Sequence, residues 1–206
     1  VNMAFVGLPI VWASFGGLAL AKATLVIAFL VPINVISSII IFRIFSRGGE
    51  KFEIKRLIKS VVTDLIIIAA ILGIILSYFN VRLPGFIAGS LDIISGMTVA
   101  VALLSIGASF RFDHLKNDLK LVSLISLNKL ILMPVFVFLA AEYVFRMDVF
   151  DRNVIVILFA APLAVAAYIM AKELRSDYSL VSSALIITTI ISAVTISGWL
   201  LVLRYI

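Results

Sequence analysis

The chain has 206 residues, 64% of them hydrophobic and 14% charged, with a net charge of +6 and no cysteine. A soluble domain is nearer half apolar, so this composition describes an integral membrane protein; it also excludes a disulfide framework, a thiol nucleophile and a cysteine metal site. The positive residues lie between hydrophobic runs and form no aromatic-interleaved basic surface, which argues for membrane topology and against nucleic acid as a partner.

Seven apolar runs, 3–16, 19–42, 60–79, 85–110, 119–145, 153–171 and 179–203, are read as transmembrane helices, which need roughly 20 residues each. The first lacks its beginning, and 153–171 is among the shortest. No run alternates strictly in polarity, and an open sheet edge cannot face lipid. The expected fold is therefore an all-α membrane protein, a polytopic bundle of about seven helices in one transmembrane domain, and not a barrel. Val1 leads into apolar sequence with no initiator Met, charged leader or cleavage site, so the chain reads as a fragment.

The first run opens "NMAFVGLPI", where Asn2, Gly7 and Pro9 interrupt a helix within two turns. The second contains Pro32. Between the second and third runs, "EKFEIKRLIKS" at 50–60 is either a solvated linker that sets topology or a short amphipathic helix in the headgroup layer. Asp64 and Glu142 stand within about a turn of span ends, in reach of headgroups.

The fourth run contains "LDIISGMTVAVALLSIGASF", whose small residues recur at helical spacing and form a face fit for close packing. Asp92 lies roughly two turns inside the boundary, where its ionised form is costly unless paired or hydrated. Two readings stand: a proton-coupling carboxylate, or a group reached by interfacial water. His114, the only histidine, sits in the connection "FRFDHLKND" without a second ligand at metal-site spacing, and reads as a solvated loop residue. In "LNKLILMP", Lys129 either snorkels to the interface or makes an ion pair or anion contact inside the bundle.

The sixth run holds "FAAPLAVAAY" at 159–168, small residues beside Pro162. Proline removes the backbone bond to the carbonyl four residues earlier, and small neighbours let other helices approach to replace it. Two such segments, one in each half, are the sequence pointer to a transporter site built on broken helices. Pro32 and Pro134 keep the packing explanation open, because prolines also kink membrane helices without any ligand. No catalytic pair and no nucleotide-binding glycine loop is present. The chain is expected to be no enzyme, to use no cofactor and no metal, and to draw any work from a gradient.

Loop charges give an orientation. With alternating crossings, Arg43, Arg47, Lys51, Lys55, Arg56, Lys59, Arg111, Lys116, Lys120, Lys172 and Arg175 share one side, and Lys22, Arg82, Arg146, Arg152 and Arg204 the other. The richer side is expected to be cytoplasmic, which leaves the C-terminus outside.

With these residues in view, the chain resembles the auxin efflux carrier family. The resemblance runs through "NMAFVGLPIVWASFG", "LPGFIAGSLDIISGMTVAVALLSIGASF", "NKLILMP" and "AAPLAVAAYIMAKELRSDYSLVSSALIITTIISAVTISG", and so covers essentially the whole chain. It implies ten helices in two inverted five-helix repeats, with the fourth and ninth broken and crossing near mid-membrane. On that map about three N-terminal helices precede residue 1. Residues 1–46 end the first repeat, 47–59 form a cytoplasmic linker, and 60–206 are the second repeat.

The resemblance also implies substrate-binding residues: Asn2 at the first crossing, Gly7 and Pro9 after it, Pro162 opening the second broken segment, and the crossing itself near Ala166 and Ala167, with Tyr168 beside them. Leu163, Ala166 and Ala167 stand where family members often carry polar residues. Ala100 replaces a common proline, and Thr63-Asp64 an Asn-Pro. The second half of the site is thus unusually apolar: either the substrate differs, or Asn2 and backbone groups do more of the binding, or transport has been lost.

The expected function is secondary, alternating-access efflux of small organic anions or carboxylates across the plasma membrane, with the bacterial inner membrane as the setting. Asp92 and Lys129 are the ion-coupling candidates, for a proton or for sodium. The partners are the anion, the lipid bilayer and, in a homodimer, a second copy. The alternative is a non-transporting sensor or assembly subunit that keeps the fold.

Overall fold

The structure, a computed structural model, describes residues 2–44, 63, 65–108, 119–173 and 176–206. The linker expected at 47–59, Asp64 and His114 lie outside the described residues. The described elements are all helical. A π-helical turn, Met3–Gly7, leads into α1, Leu8–Ile44. Then come α2, Leu65–Tyr78, and α3, Gly85–Ala108. Helix α4, Leu119–Val144, is interrupted by π-helical turns at Asn128–Leu132 and Ala140–Val144. Helices α5, Val149–Ala160, and α6, Val165–Glu173, are followed by α7, Tyr178–Tyr205.

Three of these helices are long and apolar enough to cross a membrane, four if α5 and α6 count as one bent span. That is fewer than the seven expected runs. One reason is that α1 covers the first two runs as two helices meeting at a kink, Gly16, whose φ of 83° and ψ of −170° only glycine adopts without strain. Another is that the third and fourth runs have ends outside the described residues.

Helix α5 is the centre of the bundle. Its Arg152, Asn153, Val154, Val156, Ile157, Leu158 and Ala160 are buried, so apolar and polar residues alike face neighbours all round the helix. Val11, Ala19, Ala23 and Ile27 of α1 pack on it from one side, and Ile196 and Leu203 of α7 from another. Asp148 caps its amino end, its carboxylate accepting from the N–H groups of Phe150 and Asp151 at 3.0 and 3.1 Å.

Near this end two ion pairs tie neighbouring helices to α5. Lys22 of α1 meets Asp151 at 2.5 Å, and Glu142 of α4 meets Arg152 at 2.6 Å. The second corrects a sequence expectation: Arg152 is no loop cation but 2% exposed, and it pairs with Glu142, which is itself 37% exposed. Position along the runs hides the pair, since Glu142 ends one hydrophobic run and Arg152 stands in the connection before the next.

The two interior prolines of this half behave differently. Pro134 in α4 cannot donate to the Leu130 carbonyl, and the Trp199 indole N–H of α7 takes that acceptor at 3.1 Å. The helix continues. At Pro162 it does not: Ala161 is extended, at φ −58° and ψ 145°, as a residue before proline prefers, and α6 restarts bent by 43° from α5.

Candidate functional site

The break between α5 and α6 releases backbone groups, and three of them find partners from elsewhere in the chain. The Pro162 carbonyl accepts from the Asn2 N–H at 2.8 Å. The Phe159 carbonyl accepts from Lys129 Nζ at 2.5 Å. The Leu163 N–H donates to Thr188 Oγ1 of α7 at 3.4 Å. Thr188 is wholly buried, and its own hydroxyl donates a hydrogen bond to the Leu185 carbonyl at 3.2 Å.

Asn2 is the hinge between the two interrupted segments. Its carbonyl accepts from Val6 and Gly7, both at 3.2 Å, and so starts the π-helical turn. Its side chain is 3% exposed, and Nδ2 has no partner among the described residues. A buried donor left unmade costs about 1–3 kcal/mol. Gly7 permits the close approach: a Cβ there would stand 3.1 Å from Leu158 Cδ2 and 3.7 Å from its Cα.

The remaining sequence-derived candidates fall in different places. Pro162 is buried at the break, and Pro9 is half-buried in the first turn of α1, a position that tolerates proline. The crossing bond is to Pro162, one turn before Ala166 and Ala167. Ala166 is exposed and Ala167 half-buried, its N–H bonded to the Ala164 carbonyl at 3.0 Å. Tyr168 packs edge-on against Tyr178, ring centroids 6.4 Å apart. Asp92 is exposed on α3 and makes no hydrogen bond or ion pair to the groups at the break. Lys129 does not snorkel: it is 6% exposed and points inward.

Across residues 1–200 the chain matches the family model described as membrane transport protein. The chain belongs to that family. The auxin efflux carrier resemblance is thereby borne out. An uncharacterized transporter of Methanocaldococcus jannaschii is 27% identical over 97% of this chain and 65% of its own length. Another, from Methanothermobacter thermautotrophicus, is 28% identical over 98% of this chain and 65% of its own length. The chain thus spans about two thirds of the curated relatives it matches. No solved structure matches it.

As a member of the membrane transport protein family, the chain is a multi-pass membrane protein, and the break directly follows the heavily buried helix α5. Sequence reasoning missed Thr188 and Trp199. Their signal was present, since polar residues recur through "SLVSSALIITTIISAVTISGW" in an otherwise apolar span. A cavity of about 520 Å³ lined by Ser14, Phe15, Asn153, Ser197 and Arg204 lies at the opposite end of α5 and is no part of the break. Among the described residues no His, Cys, Asp and Glu group of three or more could hold a metal ion.

Proposed function

We propose that the protein is a gradient-driven secondary transporter of small organic anions, carboxylates in particular, exporting them across the plasma membrane by alternating access. The observation that carries this reading is the unpartnered, buried Nδ2 of Asn2 beside the Pro162 break. An amide donor suits a carboxylate oxygen, and the restarted amino end of α6 adds the partial positive charge of a helix N-terminus. Gly7 and Pro162 act as backbone elements of the site, and the small Ala166 and Ala167 leave room beside it. On this reading residues 60–206 form the second inverted repeat, 1–46 the end of the first, and the C-terminus faces outward. The protein changes the position of its substrate and no covalent bond in it.

A second reading, a non-transporting subunit on the same fold, draws on the apolar side chains at Ala166 and Ala167. Proteoliposome uptake of a panel of labelled carboxylates by the full-length protein separates the two. Wild type is expected to carry at least one of them, and Asn2→Ala to carry it about tenfold less, as loss of a hydrogen bond to a charged group predicts. Equal flux would remove Asn2 from the site. No flux for any compound would favour the subunit.

A further inference from the structure

The last turn of α5 carries the negative pole of that helix and carbonyls that the break has removed from helical bonding. In carriers with interrupted helices, such carbonyl ends are where a coupling cation is held. Here the Phe159 carbonyl is taken by an ammonium that belongs to the protein, Lys129 Nζ, at 2.5 Å.

Three features aim Lys129 at that position. It lies in the π-helical turn Asn128–Leu132, whose extra residue per turn resets the face that the helix presents and leaves both Lys129 and Leu130 buried. The Leu130 carbonyl next to it is anchored to Trp199 of α7, which fixes the turn against the bundle. The Lys129 stem does not run to an interface, although a lysine in lipid ordinarily reaches for water.

No carboxylate among the described residues pairs with Lys129, and Phe159 accounts for only one of its three N–H donors. Burying an ammonium without a counter-charge costs several kcal/mol, so the arrangement calls for an anion or a carbonyl cage to offset it. The break supplies the first carbonyl, and the two remaining donors are available to an anion docked there.

We infer that Lys129 is a tethered cation, its ammonium resident at the carboxyl end of α5 in the place of a dissociable coupling ion. It provides the fixed counter-charge for the anion of the preceding subsection, on which this part of the inference rests. Removing the side chain then empties a cation site that a free alkali ion or a small ammonium enters.

The test compares wild type with Lys129→Ala in the full-length protein. Thermal unfolding in detergent, without substrate, is followed in sodium, ethylammonium or N-methylglucamine chloride at matched ionic strength. Wild type is expected to unfold at one temperature in all three. Lys129→Ala should unfold earlier in N-methylglucamine and recover in sodium or ethylammonium. Lys129→Met, which keeps most of the stem volume and lacks the ammonium with its charge and N–H donors, carries the same expectation if the alanine variant does not fold.

In proteoliposomes, anion flux by Lys129→Ala should fall about tenfold or more, as loss of a charged hydrogen-bond donor predicts, and ethylammonium should restore part of it. A deficit that no cation reduces, wild-type stability in the variants, or wild-type unfolding that itself depends on sodium would overturn the assignment. The unfolding arm needs no substrate. Cation rescue there with no carboxylate flux from wild type would sink the transport reading and leave the tethered cation standing.

Discussion

Helices α2 and α5 reverse the usual relation between hydrophobicity and burial. Helix α2, "LIIIAAILGIILSY", is almost wholly apolar, yet across α2 and α3 the described side chains are exposed except for the half-buried Leu76 and Ile87. Helix α5 carries Asp151, Arg152 and Asn153 and is buried on every side. In water this would be upside down. In a bilayer, lipid tails are as apolar as leucine, so apolar area gives helices little reason to associate; close approach and polar partners do. Helix α5 has both: Gly7 and Ala160 at its last turn, and Glu142, Lys22 and Thr188 bonded to it or to the break that follows.

The largest expected effect is at the Glu142–Arg152 pair. Arg152 Nε donates to Asn153 Oδ1 at 3.3 Å, its guanidinium lies 5.0 Å from the Phe138 ring centroid, and Nη2 has no partner among the described residues. Glu142→Ala strands a buried cation, and the loss is expected to be about 2–4 kcal/mol, below the upper range for fully buried pairs because Glu142 is itself 37% exposed. Asp92→Ala, on the exposed face of α3, should change stability by no more than about 0.5 kcal/mol. Thermal unfolding in detergent reads both, and similar losses at the two positions would erase the contrast between the regions.

A glycine pair tests the same contrast with opposite signs. Alanine at position 7 would place its Cβ 3.1 Å from Leu158 Cδ2, and Leu158 is fully buried. Gly7→Ala is expected to destabilise by about 1–3 kcal/mol through overpacking. At Gly89 of α3 a Cβ meets nothing within 4 Å, so Gly89→Ala should gain roughly 0.5–1 kcal/mol from reduced backbone entropy. At Gly85 and Gly89, just before the stretch 91–110 whose small residues the sequence suggests for close packing, α3 is uncovered by the described residues. Small side chains permit an approach but do not supply the partner that makes it.

What could be read from sequence follows the same division. Local consequences were legible: Pro162 ends a helix, the residue before it turns extended, and Asn2 lies at the interruption of the first run. Long-range partners were not. The Lys129 ammonium finds a carbonyl 30 residues along the chain, and the Trp199 indole one 69 residues back. Arg152 looks like a loop charge because counting loop cations uses position along a run, and nothing in that count shows Glu142 coming round to meet it.

The smallest expected effect concerns how the two regions begin their helices. Helix α5 starts on the Asp148 carboxylate, whereas at the start of α3 the first N–H groups have only the Pro84 carbonyl, bonded by Ile87 at 2.9 Å and Ala88 at 3.0 Å. The Asp151 N–H holds the Asp148 carboxyl below the usual carboxylate range, with the Phe150 N–H and the Lys22 charge assisting against partial desolvation. A depressed folded pKa means that the unfolded chain binds the proton first on acidification. The cap's contribution is therefore complete well above the unfolded value of about 3.9 and fades as pH falls below it toward the folded one. Hydrogen exchange at the amino end of α5 should accelerate across that window while the start of α3 stays flat. Asp148→Asn retains an acceptor suited to the cap and cannot titrate, so it should remove the pH step and leave neutral-pH protection nearly unchanged. A step that survives in the asparagine variant would assign the acid sensitivity to another group at that end of α5.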